Sequence, residues 1–491
     1  MFAKYSFANV GRRVTNPPQV ANLPHKIKRA AASAILLIPC LWQHRIQAGD
    51  LSSHIYNSWL AQQIDLGRAP GLTIAPVTTN VLFDLILSWL FRSFGAEAAQ
   101  RIAVSLAALI FFWGAFALAA ATSKAPPWFL VPCLAMLTYG WVFYMGFFNF
   151  YLAAGLSLWA LALILKRGMI PHLVAAALLV IAYLAHAIPP FWAACAIAYT
   201  LIAQRLAWRP RLFFFGFALC GIFGMSHWLV SRYPTYSSSL QALEASAVDQ
   251  VWVFGLKYLG LSIGLALLWG FVLLGVSSSK GMLGIIGDIP LQLCILMAFG
   301  IFVFPTRIEL PQYRMALSFI TERMTLLQGV LICAFLAAAR PPNWLAGAFW
   351  FLAVIYFSFL YVDTARLNKM EQRMEALTAG LSTNDRVFSS FRYLDSKVGL
   401  LDHTVDRVCL GKCLSYGNYE PVSAQFRLRV TAPNPMVVAT TGDYAGLRDG
   451  GYTVKPGDLP LFQIVLCDES ARDLCLKRLE AGDVTKQYLL P

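Results

Sequence analysis

The sequence predicts an all-α polytopic membrane protein of about eleven transmembrane helices, followed by a small extracytoplasmic α+β or mostly β domain. Three observations carry that prediction. Of 491 residues, 58% are hydrophobic and 13% charged, in apolar runs that recur along most of the chain, so lipid is its expected solvent. The formal charge of +14 is uneven. From Asp363 onward Lys plus Arg and Asp plus Glu balance at 16 each, which leaves 23 basic residues against nine carboxylates in residues 1–362. Positive-inside topology and contact with anionic lipid or phosphate explain such a bias, and nucleic acid is not needed. Lastly, six of the ten cysteines (Cys40, Cys133, Cys195, Cys220, Cys294, Cys333) sit singly in apolar segments, where a thiol packs as a small hydrophobe. The other four lie in the polar tail as "CLGKC" and "CDESARDLC". Pairing Cys409 with Cys413 and Cys467 with Cys475 suits two local disulfides in an oxidising compartment, with a four-thiolate zinc site as the competing reading.

Taken in order, residues 1–29 form a basic cytoplasmic leader with six Lys or Arg and no acid. The apolar run that follows contains "LLIPC", but Pro39 occupies the place a lipoprotein box gives to a small residue, and an uncleaved first span is expected. Within the core, residues 30–362, runs of span length place crossings near 28–45, 77–94, 101–121, 171–188, 189–206, 211–231, 251–276, 285–305, 324–340 and 343–362. Residues 127–165 are too long for one crossing and lack a loop for two. Lys166, Arg167, Arg205, Arg209, Arg211, Lys280 and Arg340 share one side if that stretch crosses once, so one crossing plus a bent or re-entrant piece is expected there. The tail then lies outside, along with 45–76, the "LAHAIPP" end, 232–250 and "TRIELPQYRMALSFITER". In "ARLNKMEQRMEALTAGL", apolar residues recur at three and four, predicting an amphipathic helical linker over 363–383. Strand-like "QFRLRV", "MVVATT" and "FQIVL" separated by turn residues predict the small domain over 384–491.

Polar residues concentrate where the first crossing ends. On a helix, Asp50, His54, Asn57, Ser58, Ala61 and Asp65 share one arc, opposite Leu51, Ile55, Tyr56, Trp59 and Leu66. An interfacial helix follows, its apolar face on lipid or neighbouring spans and its polar face toward an outer cavity. Asp50 heads it, which also makes an N-cap role open.

A first span, an outer loop with an Asp opening an amphipathic helix, then "LGRAPGL" and a second span closing with "FRSFGAEAAQR" resembles the GT-C superfamily of membrane glycosyltransferases. The resemblance covers residues 28–362 by layout and one loose motif. It implies an inverting transferase of a bacterial inner membrane. Such an enzyme moves a sugar from polyprenyl phosphate to a lipid, glycan or protein hydroxyl. It also implies that Asp50 is the catalytic base or faces a divalent metal, magnesium or manganese. Many members carry paired acidic residues there, whereas here Gly49 and Leu51 flank Asp50.

Transfer from a lipid-phosphate sugar needs a base for the acceptor hydroxyl and cations for the leaving phosphate, all at headgroup level. Asp50 directly follows the first span, with His54 one turn on to orient it, share its proton or bind phosphate. Arg307, Arg314 and Arg323 fall in one charge-poor loop, and the guanidinium fork suits phosphate, although Glu309 and Glu322 offer ordinary pairing. His186 ends its span as a structural group or a phosphate contact; Asn149 caps a broken helix or lines the cavity, and Asn57 joins the substrate-facing set. Nucleotide-phosphate loops and HExxH are absent from the sequence. Two other functions compete. A lipid or small-molecule transporter or flippase would use intramembrane Asp84, Arg92 and Asp288, whereas a non-catalytic subunit would bind a partner through its tail.

Overall fold

The computed structural model describes residues 23–123, 125–166, 168–310, 316–399, 401–468 and 473–490. Most of the leader and Arg314 lie outside the described residues. The chain opens with α1 (Leu23–Leu36) and the short α2 (Ile38–Leu41), followed by α3 (Leu51–Asp65) and β1 (Leu72–Ile74). Next is α4 (Leu82–Ala121), a run of 40 residues broken at Gly95, where φ is +78°.

The first arm of α4, where a crossing was expected near 77–94, packs along α3 of the first loop. Its polar side chains run along α3: Asp84 meets His54, Ser88 meets Ser58, and Arg92 meets Asp65. Just beyond the break, Gln100 accepts from Arg407 and Arg101 donates to the carbonyl of His44. Both ends of the arm therefore stay with the first loop, because a carboxylate and a guanidinium find partners there that lipid cannot offer. Asp84 and Arg92 accordingly do not pair with each other.

Residues 127–165 also differ from expectation. A 3₁₀ turn (Trp128–Leu130), α5 (Val131–Thr138) and α6 (Trp141–Met145) make one apolar segment. The chain turns at Gly146 (φ +82°), and α7 (Phe148–Ile164) makes a second. Two helical segments fit because the turn is a single left-handed glycine and needs no polar loop. Close packing holds α7 on α4. A Cβ on Gly114 would lie 2.6 Å from the carbonyl oxygen of Gly155, and one on Gly155 would lie 2.8 Å from Cα of Phe111.

The bundle continues with α8 (Met169–Ala185), α9 (Ile188–Ala203), α10 (Trp208–Arg232), β2 (Thr235–Tyr236), α11 (Gln241–Glu244), α12 (Lys257–Ile286), α13 (Ile289–Val303), β3 (Arg307–Ile308), α14 (Ile320–Leu336) and α15 (Asn343–Thr378). Among the described residues, five helices are long and apolar enough to cross a membrane and four apolar helices are slightly shorter. On α10, Phe213, Phe217, Phe223 and Trp228 all point outward, a surface that only lipid solvates well. This is a multi-pass membrane protein.

Past the bundle, α15 runs without a break into the tail, with Leu367 and Met374 buried as the three-and-four spacing requires. The tail is α+β: β4 (Arg386–Ser389), β5 (Phe391–Tyr393), α16 (Thr404–Val408), β6 (Leu414–Ser415), α17 (Glu420–Ser423), β7 (Leu428–Val430), α18 (Thr441–Asp449), β8 (Leu461–Leu466), β9 (Leu474–Leu479) and β10 (Tyr488–Leu490). Its main sheet has the order β6-β4-β8-β9, with β4 parallel to both neighbours and β8 antiparallel to β9. "FQIVL" falls in β8 and "QFRLRV" contains β7. "MVVATT" is not a strand, because the Asn434 side chain accepts the amides of Met436 and Val437 and turns the chain. Cys409–Cys413 and Cys467–Cys475 are disulfides.

The tail is fastened to the first loop in two ways. β7 pairs antiparallel with β1, Leu72 opposite Val430. A buried ionic group lies beside it: Glu371 of α15 accepts from Arg407 Nε and Nη2 (both 2.7 Å), Arg45 Nη1 (2.8 Å) and Gln47 Nε2 (2.7 Å). Arg407 also donates to the carbonyl of Ile46.

Candidate active site where the first loop meets the tail

The expected interfacial helix is enclosed. Leu51 to Ser58 of α3 are all buried, and the tail packs on the face expected to rest on lipid or neighbouring spans. Tyr56 Oη accepts the amide of Ser415, and Asn57 Oδ1 accepts from Asn418 Nδ2 at 2.7 Å. Asn57 therefore faces the tail. It also donates to Ser53, whose hydroxyl reaches Glu420 at 3.3 Å.

Asp50 stands in the N-cap place of α3, yet its carboxylate makes no capping bond. Its backbone is helical (φ −70°, ψ −8°) rather than extended, which turns the side chain away from the first amides of the helix. The backbone is held from below instead. Gly49 and Asp50 donate to the carbonyls of Tyr144 (2.7 Å) and Met145 (3.0 Å), and a Cβ on Gly146 would collide with the amide nitrogen of Asp50. The aromatic stretch between α5 and α7 is thus the seat of Asp50. The carboxylate remains 22% exposed, in a neighbourhood otherwise nearly closed.

Charged groups from four distant segments surround it. His54 Nδ1 lies 2.7 Å from Asp84 Oδ1, both side chains buried. Burial alone would depress that imidazole, but Asp84, with Glu420 and Asp50 behind it, raises it to about 9, so it is a cation at neutral pH. Asn149 Nδ2 donates to Asp84 Oδ2 at 2.7 Å while its oxygen accepts the Phe83 amide at 2.8 Å. Asn149 thus caps the start of α4 and orients Asp84. Arg427 of the tail reaches Ser88 and the carbonyl of Asp84. Burial pushes Glu420 up to about 7, against the pull of His54 and Arg427.

Arg323, in the first turn of α14, lies with its guanidinium carbon 3.8 Å from the centre of the Phe147 ring. Its charge is felt by Asp50, Tyr419 and His186. Its Nε is buried without a hydrogen-bond partner among the described residues. A buried guanidinium with an unfilled donor is poised for an anion. His186 accepts the amide of Ile188 at 3.2 Å and packs edge-on against Phe150, a structural post at the rim. Arg307 stands apart, exposed, 2.9 Å from Glu309 and over the Tyr236 ring. Glu322 accepts from Thr306 and Thr321.

The structure therefore gathers Asp50, His54, Asn57, Asn149 and Arg323, sets His186 beside them, and leaves Arg307 outside. It adds Asp84 and, from the tail, His403, Asp406, Tyr419, Glu420 and Arg427. "LDHTVDR" and "NYEP" were the available signal in the tail, an uncommon density of titratable groups with no assigned work. His403 Nε2 lies 3.6 Å from Asp50 Oδ1 and its Nδ1 3.3 Å from Asp406 Oδ2.

A divalent metal fits this donor set poorly. Among the described residues no group of three or more His, Cys, Asp or Glu could hold an ion.

No family model and no curated protein matches this chain. Among solved structures it is similar to the one titled "Crystal Structure of ArnT from Cupriavidus metallidurans in the apo state", with 12% sequence identity, 91% of this chain and 94% of that chain covered, and a TM-score of 0.49.

Proposed function

We propose that this chain is an inverting membrane glycosyltransferase of the GT-C kind, moving a sugar from polyprenyl phosphate onto a lipid, glycan or protein hydroxyl. The observation that carries the reading is the convergence on Asp50. The one partly open carboxylate of the cluster lies within electrostatic reach of a buried arginine with a vacant donor, the two coming from ends of the core about 270 residues apart. In the proposed step Asp50 takes the proton of the acceptor hydroxyl as its oxygen attacks the anomeric carbon. The bond from that carbon to the phosphate oxygen breaks, and the phosphate leaves with the electron pair toward Arg323. His54, tied to Asp84, supplies fixed positive charge beside Asp50 rather than a mobile proton. No step runs through a metal.

The topology that fits is eleven crossings with a cytoplasmic N-terminus and the tail outside. They are α1 with α2, the second arm of α4, 128–145, α7, α8, α9, α10, α12, α13, α14 and α15. In this reading the first arm of α4 stays outside and 127–165 crosses twice. The carrier reading is weakened by dispersal of its three groups. Asp84 is bonded to His54, Arg92 to Asp65, and Asp288 lies just before α13.

The test is transfer by the purified full chain from decaprenyl-phosphate-linked radiolabelled hexoses and pentoses to total envelope lipid. Asp50→Asn should lower turnover by at least about 10³-fold with the fold intact. Full activity in that variant removes Asp50 as the base.

A further inference from the structure

Within the reading above, we propose that His403 of the tail, backed by Asp406, is the positioning residue of the Asp50 carboxylate, so that the tail domain completes the transfer site. Three independent contacts bring the tail to this point. Gly49, the residue before Asp50, touches the segment leading to His403, since a Cβ there would lie 3.2 Å from the Gly399 carbonyl. Trp141 Nε1 donates to the Lys397 carbonyl at 2.9 Å, and Ser396 bridges to Phe254 in antiparallel fashion. These fasten the segment to the same aromatic seat that holds Asp50.

At the end of that segment His403 is enclosed. The Tyr419 ring lies 5.2 Å from the imidazole, and the side chain is about 5% exposed. Asp406, nearly inaccessible, accepts from Ser415 through Oδ1, which leaves Oδ2 turned to His403 Nδ1. Neither His403 Nδ1 nor Asp406 Oδ2 has another partner among the described residues. The order Asp406, His403, Asp50 is therefore a line of acceptor, two-ended donor and acceptor. At 3.3 and 3.6 Å both links are slightly long and need a small closure to become hydrogen bonds. Such a bond would occupy Asp50 Oδ1 and leave Oδ2 for the acceptor hydroxyl.

The charges around His403 favour its cationic form. Burial works against it, but Asp406, Asp50 and Asp402 together raise it to about 9. The remaining charged neighbours are Arg448, beside Asp402, and Arg323, beyond Asp50. His54 and Glu420 are further charged neighbours of Asp50.

The test uses the full chain in detergent with its seven histidines ¹³C-labelled at Cε1, the His403 signal being the one lost in His403→Gln. In the native protein the His403 midpoint should lie near 9. Asp50→Asn and Asp406→Asn should each lower it by about one pH unit. An unchanged midpoint in Asp50→Asn overturns the proposal, whatever the protein transfers. The transfer assay above supplies the second arm. His403→Gln should cut kcat by about 10- to 100-fold at unchanged KM for the donor, and Asp406→Asn should move the alkaline fall of activity to lower pH. If Asp50→Asn abolishes transfer while both tail variants keep native kcat and pH profile, the tail has no positioning role and the transferase reading stands. If Asp50→Asn transfers normally, that reading itself fails.

Discussion

Replacing Glu371 with Gln should release the tail from the first loop. The native carboxylate is fully buried and accepts four charge-assisted or amide bonds, two of them from Arg407, itself about 5% exposed. Gln keeps one acceptor and turns an amide toward the guanidinium, leaving Arg407 buried without a counter-charge. Breaking a buried pair by changing one partner costs about 3–5 kcal/mol, whereas replacing both by apolar residues of similar size is close to neutral. At a factor of ten per 1.4 kcal/mol, tail opening should rise by roughly 140- to 3,700-fold in the single variant. Native-state hydrogen exchange of the full chain reads this directly, at the Asp406 and Cys409 amides that donate to His403 and Val405. Their protection should fall by that factor, while the Tyr151 amide, which donates to Phe147 within the bundle, keeps its own. Glu371→Met with Arg407→Met should restore most of the loss. Unchanged protection at Asp406 and Cys409 in Glu371→Gln would refute this fastening, as would a double variant no better than the single.

Other outcomes follow from the same contacts. His54 and His403 are both raised above their unfolded value to about 9. Their contribution to stability is therefore full below about pH 6.5 and is lost as pH rises through about 9. The unfolding temperature in detergent should decline across that window, and Asp84→Asn should flatten part of the decline. Arg323→Lys keeps the charge but loses the fork and its vacant Nε, so KM for the donor should rise by about tenfold or more, while Arg307→Ala, on an exposed surface pair, should leave it within about twofold. Gly146→Ala meets both a left-handed backbone and the Asp50 amide, and should sharply reduce the folded yield measured by size-exclusion chromatography.

The membrane class and the pairing of the four tail cysteines were legible because each rests on local composition or spacing. Helix α3 was legible as a helix, but its surroundings were not: periodicity reports which residues share a face and says nothing of what covers it. The tail lies more than 300 residues downstream, and its Ser415 bonds Tyr56 on the face expected to rest on lipid or neighbouring spans. The first arm of α4 read as a span because its apolar content satisfies hydropathy, and that reading names neither of the partners that Asp84 and Arg92 find on α3. Likewise Gly146 makes a turn between two helices without any polar punctuation, so 127–165 could not be divided by composition. Asp50 was legible from its place after the first run. His403 was not, because a histidine between two aspartates is common until a fold sets it beside a third.

The most direct measurement is a structure of the full chain with decaprenyl phosphate bound. The account predicts the lipid phosphate within hydrogen-bond distance of Arg323 Nε, with Asp50 facing the space beside it and the tail docked as described. A phosphate seated at Arg307, or at the opposite end of the bundle, with the Asp50 and Arg323 neighbourhood empty, would contradict it.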